Sequence, residues 1–225
     1  MNEKISVLDV AINGYTAKKA MKETVDYMHT EPLNIIEMVT VDTLMYAKEE
    51  PELRESMSQL DMVLPGEKEI LEGRSRITTD RRRLQEVEEQ TYLRMFFRYL
   101  HKNHCRVFLL VETDEEAQAF YKFLNESYAG IQITGMAKVS AEDKGDELVV
   151  NAVNGDEVDC VIAALSAPIR EEFAENNKHL LNARVWLGVG KMLKMTRQDG
   201  SRKMRFVRFM THRFFKREIQ KNRKE

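Results

Sequence analysis

The sequence predicts an α/β fold, a mostly parallel sheet flanked by helices and followed by a basic helical appendage. Three observations lead there. Strand-length apolar runs alternate with segments of helical period along most of the chain. One run, 105–111, is apolar at all but one position, as expected of a strand covered on both faces. Charge is also divided unevenly. Residues 191–225 hold 13 Lys and Arg against 3 Asp and Glu, a net +10, which leaves −12 on the rest of the chain.

The elements follow in order. Residues 5–12 read as the first strand, closed by the turn pair Asn13-Gly14, and Thr16 caps a helix over 17–29. The next strand is 34–41. A helix over 43–48 follows, with Asp42 placed to cap it, and Pro51 opens another over 51–59, because proline suits the first helical turn. Residues 61–65 form a short strand stopped by Pro65-Gly66. One long helix spans 84–103, ending near Lys102 and His104. After strand 105–111, a helix over 114–128 carries Ala117, Phe120, Tyr121 and Leu124 at i, i+3, i+4 and i+7. Strand 131–135, helix 142–151, strand 158–165, helix 171–176 and strand 185–190 complete a Rossmann-like alternation. Residues 196–201 have loop character. The chain therefore divides into an α/β domain over 1–195 and an appendage over 196–225.

Composition excludes several classes. A chain of 225 residues, 43% hydrophobic with 10 Gly and 4 Pro, can bury a core without staples and is not of low complexity. Cys105 and Cys160 each sit in an apolar run and read as buried, reduced thiols. No Cys-x-x-Cys pair supports a metal or redox centre, and no cofactor is expected. No run approaches the roughly 18 apolar residues of a membrane span. The first residues are too polar for a secretory core region, so a cytoplasmic protein is expected.

In such sheets ligands bind beyond the carboxyl ends of the strands. The motifs at those ends are the opening 7–16, Met38-Val39-Thr40-Val41-Asp42, the segment from Pro51-Glu52-Leu53-Arg54 to Met62-Val63-Leu64-Pro65, Arg106-Val107-Phe108-Leu109-Leu110, Tyr128-Ala129-Gly130-Ile131, Ser166-Ala167-Pro168-Ile169-Arg170-Glu171, and Gly188-Val189-Gly190. Their order and spacing resemble the WecG/TagA/CpsF family of bacterial glycosyltransferases along about 200 residues. The resemblance implies transfer of an N-acetylmannosamine-type sugar from a UDP donor to a lipid-linked acceptor, with inversion and without a metal. In the family such reactions build teichoic acid linkage units, enterobacterial common antigen or capsule at the inner membrane face.

The departures fall on the reactive positions. The family's catalytic Asp lies at Gly66, and Glu67 is the nearest carboxylate. Glu67 is either a base re-aimed by one residue or a solvent-facing turn glutamate. The family's T-x-N motif keeps Thr40 but places Asp42 at Asn, a charge that would repel a diphosphate. Its P-k-Q-E motif follows Ser166 and has Arg170 at Gln, with Glu171 kept. Arg170 is a cation for the pocket or a partner of Glu171 or Glu172. The glycines after strand 105–111 are Val111 and Glu112, which crowd the edge and add negative charge. Gly188 and Gly190 stand at the final glycine motif. Arg83, in Arg81-Arg82-Arg83, lies where the resemblance expects a diphosphate-binding Arg. The candidate substrate contacts are thus Thr40, Asp42, Gly66, Arg83, Ser166, Arg170, Glu171, Gly188 and Gly190. These replacements leave two functions open: a glycosyltransferase with an altered site, or a non-catalytic relative that binds a nucleotide-sugar, a lipid-linked glycan or a partner glycosyltransferase, alone or as an oligomer.

The appendage is amphipathic at 100° per residue. Met204, Phe206, Val207, Met210 and Phe214 share one arc, and Arg205, Arg208, His212 and Lys216 the other. Arg205, Phe206, Arg208, Met210, Phe214 and Lys216 are the candidate contacts to an anionic membrane surface, which would place the protein at the inner face of the cell membrane. The other reading is a terminal helix packed on the domain. A nucleic-acid partner lacks a recognised binding fold to accompany the basic stretch.

Overall fold

The computed structural model describes residues 4–72, 81–140, 146–192 and 202–222, with the side chains of the last helix described over 211–221. The chain opens with a hairpin of β1 (Lys4–Val7) and β2 (Val10–Asn13). Leu8 and Asp9 between them have φ of +49° and +63°, the left-handed pair that a two-residue hairpin turn requires. The single strand expected over 5–12 is therefore two. Alternating burial along each strand hid the reversal, because Leu8 itself is buried.

After α1 (Ala17–Tyr27), capped by Thr16 as expected, come β3 (Asn34–Val39), α2 (Val41–Glu49), α3 (Pro51–Ser58) and β4 (Met62–Pro65). The chain then crosses the sheet through α4 (Lys68–Glu72), α5 (Arg81–Glu88) and α6 (Thr91–Lys102) to β5 (Arg106–Val111). There follow α7 (Asp114–Ser127), β6 (Gln132–Lys138), α8 (Asp146–Gly155), β7 (Cys160–Ala163), α9 (Ile169–Asn177) and β8 (Val185–Gly188). A 3-10 turn, Gly190–Met192, and α10 (Arg202–Asn222) close the described chain. The helix expected over 84–103 breaks at Gln90, whose left-handed φ of +51° separates α5 from α6. The cap of α2 is Thr40, not Asp42. The Thr43 N–H donates to Thr40 Oγ1 at 3.2 Å, and Asp42 becomes the helix's second residue, where its charge suits the positive end.

The main sheet has the order β4-β3-β8-β7-β5-β6, and every neighbouring pair is parallel. Successive residues of β3 enter different cores. Ile36 and Met38 meet α1 and α6 on one face, while Ile35 joins Phe108, Phe173 and Trp186 on the other. The two-sided burial expected of 105–111 follows from the same arrangement. Cys105 and Cys160 are both buried free thiols, and burial pushes the Cys105 thiol up to about 11.

Two features of the topology bear on function. The helix after β5, α7, packs Phe120 and Leu124 on one face of the sheet, whereas α9, after β7, packs Phe173 and Ala174 on the other. The chain leaves these neighbouring strands in opposite directions, to β6 and to β8, so a crevice opens between their carboxyl ends. The second feature is the docking of α10. Phe215 and Ile219 are buried with Val41, Leu44 and Ala47, and Lys48 pairs with Glu218. At least the second half of the appendage is packed on the domain. The proposed boundary at residue 196 lies outside the described residues. Among the described residues no helix is long and apolar enough to cross a membrane.

Replacing a buried Phe by Ala costs about 3–5 kcal/mol through lost transfer energy and cavity formation. Phe215→Ala should lower the unfolding free energy of the whole chain by that order, read as a lower denaturant midpoint at unchanged slope. An unchanged midpoint would mean that α10 does not belong to the cooperative unit.

Candidate functional site

Thr40, Gly66, Ser166 and Gly190 follow β3, β4, β7 and β8, four strands that are consecutive in the sheet. They therefore stand along one edge. The Gly66 N–H donates to the Val39 carbonyl at 2.7 Å, which continues the β3–β4 ladder to the turn. Thr40 spends its hydroxyl on the cap of α2 and on Thr43 Oγ1, 3.0 Å away.

Beside this edge is a small half-open cavity of about 30 Å³, enough for a water or two. It is lined by Tyr15, Thr16, Leu64, Pro65, Arg83 and Glu86, among others. Arg83 reaches it from α5. Its Nε and one terminal nitrogen are buried without a hydrogen-bond partner. Arg81 and Arg82 are exposed, so of the arginine run only Arg83 turns inward. Glu86 Oε2 accepts the Ala17 N–H, the first orphan donor of α1, at 2.9 Å. No sequence signal had marked Glu86, and Tyr15 stood only within the opening 7–16 motif, since their neighbours come from distant segments.

Glu67 is not the solvent-facing turn residue of the second reading. Its side chain is 12% exposed, and its Oε2 accepts the Val41 N–H at the start of α2 at 2.8 Å. The imidazole of His212, from α10, lies between two carboxylates: Nε2 is 3.7 Å from Glu67 and Nδ1 is 3.9 Å from Glu69. The appendage thus reaches the turn that follows β4. Asp42 is exposed on α2.

Four other candidate contacts meet in a buried network instead of on an open surface. Arg170 and Glu171 are 1% and 2% exposed, and with them lies Glu37 of β3 at 0%. Arg170 Nε is 2.6 Å from Glu37 Oε2, and a terminal nitrogen pairs with Glu171. The Trp186 indole N–H donates to Glu37 Oε1 at 3.0 Å. A Cβ on Gly188 would strike the Glu37 carboxylate, and one on Gly190, at φ +54°, would strike the Arg170 guanidinium. The two glycines make room for buried charge. Glu37 and Trp186 were missed in sequence, though a Glu inside Ile35-Ile36-Glu37-Met38-Val39 was a visible irregularity. Burial raises the Glu37 carboxyl to about 8 despite the Arg170 guanidinium, with the Glu171 charge adding to the rise.

At the β5–β7 crevice, Glu112 Oε1 accepts from both the N–H and the hydroxyl of Ser166, the latter at 2.7 Å. Its Oε2 is 3.2 Å from Lys191 Nζ, and Lys191 also meets Glu116 Oε1 at 2.5 Å. Burial acts to raise the Glu112 carboxyl, but the Ser166 donors and Lys191 outweigh it and hold the group below the ordinary range. Among the described residues no cluster of His, Cys, Asp and Glu could hold a metal ion.

A model of the glycosyl transferase WecG/TagA/CpsF family matches residues 5–224, nearly the whole chain. The chain belongs to that family. Membership suggests glycosyl transfer in cell-envelope polysaccharide synthesis. No curated protein gives a match.

The buried network makes stability pH-dependent. The folded state holds the Glu37 proton up to about 8, while an unfolded glutamate releases it near 4.5. Protonation-linked stability is therefore full below about 4.5, declines as pH rises, and is gone above about 8. Glu37→Gln mimics the protonated side chain and should remove this term. The stability difference between wild type and variant should shift against wild type between about pH 5 and pH 8. A difference that stays flat across that range would show that Glu37 is not the titrating group.

Proposed function

We propose that the chain is a glycosyltransferase of its family with an altered site, acting on a UDP-sugar donor and a lipid-linked acceptor at the carboxyl edge of the sheet. The observation that carries this reading is Arg83. A guanidinium with buried, unpartnered nitrogens beside the strand ends is an unfilled anion contact, and leaving it unfilled costs stability unless a ligand completes it. A diphosphate supplies the acceptors it lacks, in the fork geometry that arginine favours. An inverting transfer also needs a base for the acceptor hydroxyl. Gly66 cannot serve. Glu67 is the carboxylate nearest that position, and its inward orientation with His212 alongside supports its assignment as the shifted base.

A second reading has its own support. Glu112 fills a set of anion donors with the chain's own carboxylate, which favours a non-catalytic relative that binds a nucleotide-sugar, a glycan or a partner glycosyltransferase. The two readings separate in one screen of UDP-sugars for binding and turnover. On the first, wild type turns over a UDP-sugar, Glu67→Gln abolishes turnover, and Arg83→Ala raises the dissociation constant about tenfold or more, as loss of a charged hydrogen bond does. On the second, binding is sensitive to Arg83 and no UDP-sugar turns over. With UDP-N-acetylmannosamine itself, turnover should be weak, because a missing general base costs about 10²–10⁴-fold. Arg83→Ala binding indistinguishable from wild type would remove the basis of both.

The appendage fits a peripheral position at the inner face of the cell membrane. Arg205, Phe206, Arg208 and Met210 have side chains outside the described ones. Phe214 is 48% exposed, and Arg213, Lys216 and Arg217 are exposed around it, while Phe215 and Ile219 face the domain. Each cation near an anionic surface contributes about 1 kcal/mol. Point variants test this better than truncation, which would strip Phe215 from the core. The full chain should sediment with anionic vesicles at low salt and release at high salt, and Arg213→Glu with Lys216→Glu should abolish sedimentation. Equal sedimentation of wild type and variant would sink the membrane assignment.

A further inference from the structure

The crevice between β5 and β7 is where a doubly wound sheet ordinarily takes its ligand, because the helices that follow these strands leave on opposite faces. In this chain the crevice is bridged from within. Glu112 is the first residue after β5, and its carboxylate crosses to the N–H and hydroxyl of Ser166, three residues after Ala163 at the end of β7, while Lys191 closes on it from the turn after β8. Three donors of this kind, one backbone N–H, one hydroxyl and one ammonium, form an oxyanion site. A glycine at position 112 would leave the same three donors facing solvent.

We propose that Glu112 is a resident anion that fills an oxyanion subsite made by Ser166 and Lys191, and that it thereby decides which ligands this edge accepts, excluding phosphate oxygens while it is in place. The chemical class that the vacated subsite takes is a phosphate or diphosphate. That this phosphate belongs to a nucleotide-sugar rests on the function proposed above.

The same arrangement recurs nearby. Glu67 covers the Val41 N–H and Glu86 covers the Ala17 N–H. Glu112 combines a backbone donor with a hydroxyl and a lysine. The ion pair of Lys191 with Glu116 keeps the ammonium in position when Glu112 is removed. Its position therefore does not depend on Glu112 alone.

The test is titration calorimetry of the full-length protein with inorganic pyrophosphate and, separately, with UDP. Glu112→Ala should bind pyrophosphate about tenfold or more tightly than wild type, since the gain comes from charge-assisted hydrogen bonds to vacated donors. Adding Ser166→Ala to Glu112→Ala should erase most of that gain. Glu112→Gln keeps the shape and loses the charge, so it should give a smaller increase, and it serves as the reporter if the alanine variant does not fold. Increased pyrophosphate binding without any UDP binding would keep the subsite and discard the nucleotide-sugar reading. UDP binding equal in wild type and both Glu112 variants would overturn the resident-anion role while leaving that reading intact. Failure of both ligands to bind any folded variant would also overturn it.

Discussion

A guanidinium enclosed by two carboxylates in the middle of the sheet is the interaction around which the rest of the structure is arranged. Taking ions out of water costs several kcal/mol each, and attraction repays that only when geometry is close and the partners are satisfied. Here Arg170 pairs with both Glu37 and Glu171, and Trp186 supplies an N–H to Glu37, but Arg170 Nε, Glu37 Oε2 and Glu171 Oε2 lack a well-directed hydrogen bond, so the repayment is partial. Two acids against one base leave an excess negative charge, which the raised Glu37 carboxyl removes by keeping its proton near neutrality. The network joins β3, β8 and the first turn of α9. It dictates glycine at 188 and 190, since any side chain there would occupy the volume of the charged groups.

That constraint passes directly to the ligand edge. The Arg170 N–H donates to the Ser166 carbonyl at 3.1 Å, so the residue that anchors the buried network also fixes the turn that presents the Ser166 N–H. The direction of that N–H is set by core packing, whatever it binds. The chain answers it with Glu112, just as it answers the first N–H of α2 with Glu67 and the first N–H of α1 with Glu86. Helix starts and strand-end turns carry partial positive charge and attract anions. Supplying carboxylates internally stabilises the apo fold, and each one also stands where a ligand anion would compete. Stability and ligand access are therefore opposed along this edge.

Much of this was legible in the sequence, and the limits have physical causes. Strand alternation and the apolar run before Val111 gave the parallel sheet, and the ordered motifs gave the family. The resemblance singled out Gly188 and Gly190 as substrate contacts, whereas in the structure they make room for Glu37 and Arg170, and Glu37 lies about 150 residues away in sequence. Boundaries failed where a single residue adopts left-handed geometry. Leu8 and Gln90 are not residue types that announce a turn, and Asp9, which is one, sits inside an apolar run, so a hairpin read as one strand and two helices as one. Thr40 won the capping position from Asp42 because β3 ends at Val39, two residues earlier than hydrophobicity alone suggests. Arg83 was placed by analogy, and what analogy lacked was the distinction from Arg81 and Arg82, which only the packing of α5 makes.

The appendage buries one face on the domain and leaves another in solvent. Hydrophobic periodicity singled out the arc that includes Phe214, and Phe214 is indeed exposed. The adjacent residue, Phe215, turned 100° away, is buried with Ile219 four positions on. The helix therefore holds to α2 through one face and offers an aromatic and several cations on another. Between those faces His212 meets Glu67 and Glu69. Glu67, just after β4, thus lies against the same helix that presents the cationic surface. Burial of Phe215 and Ile219 against α2 holds that helix in place, so the approach of His212 to Glu67 depends on the same packing.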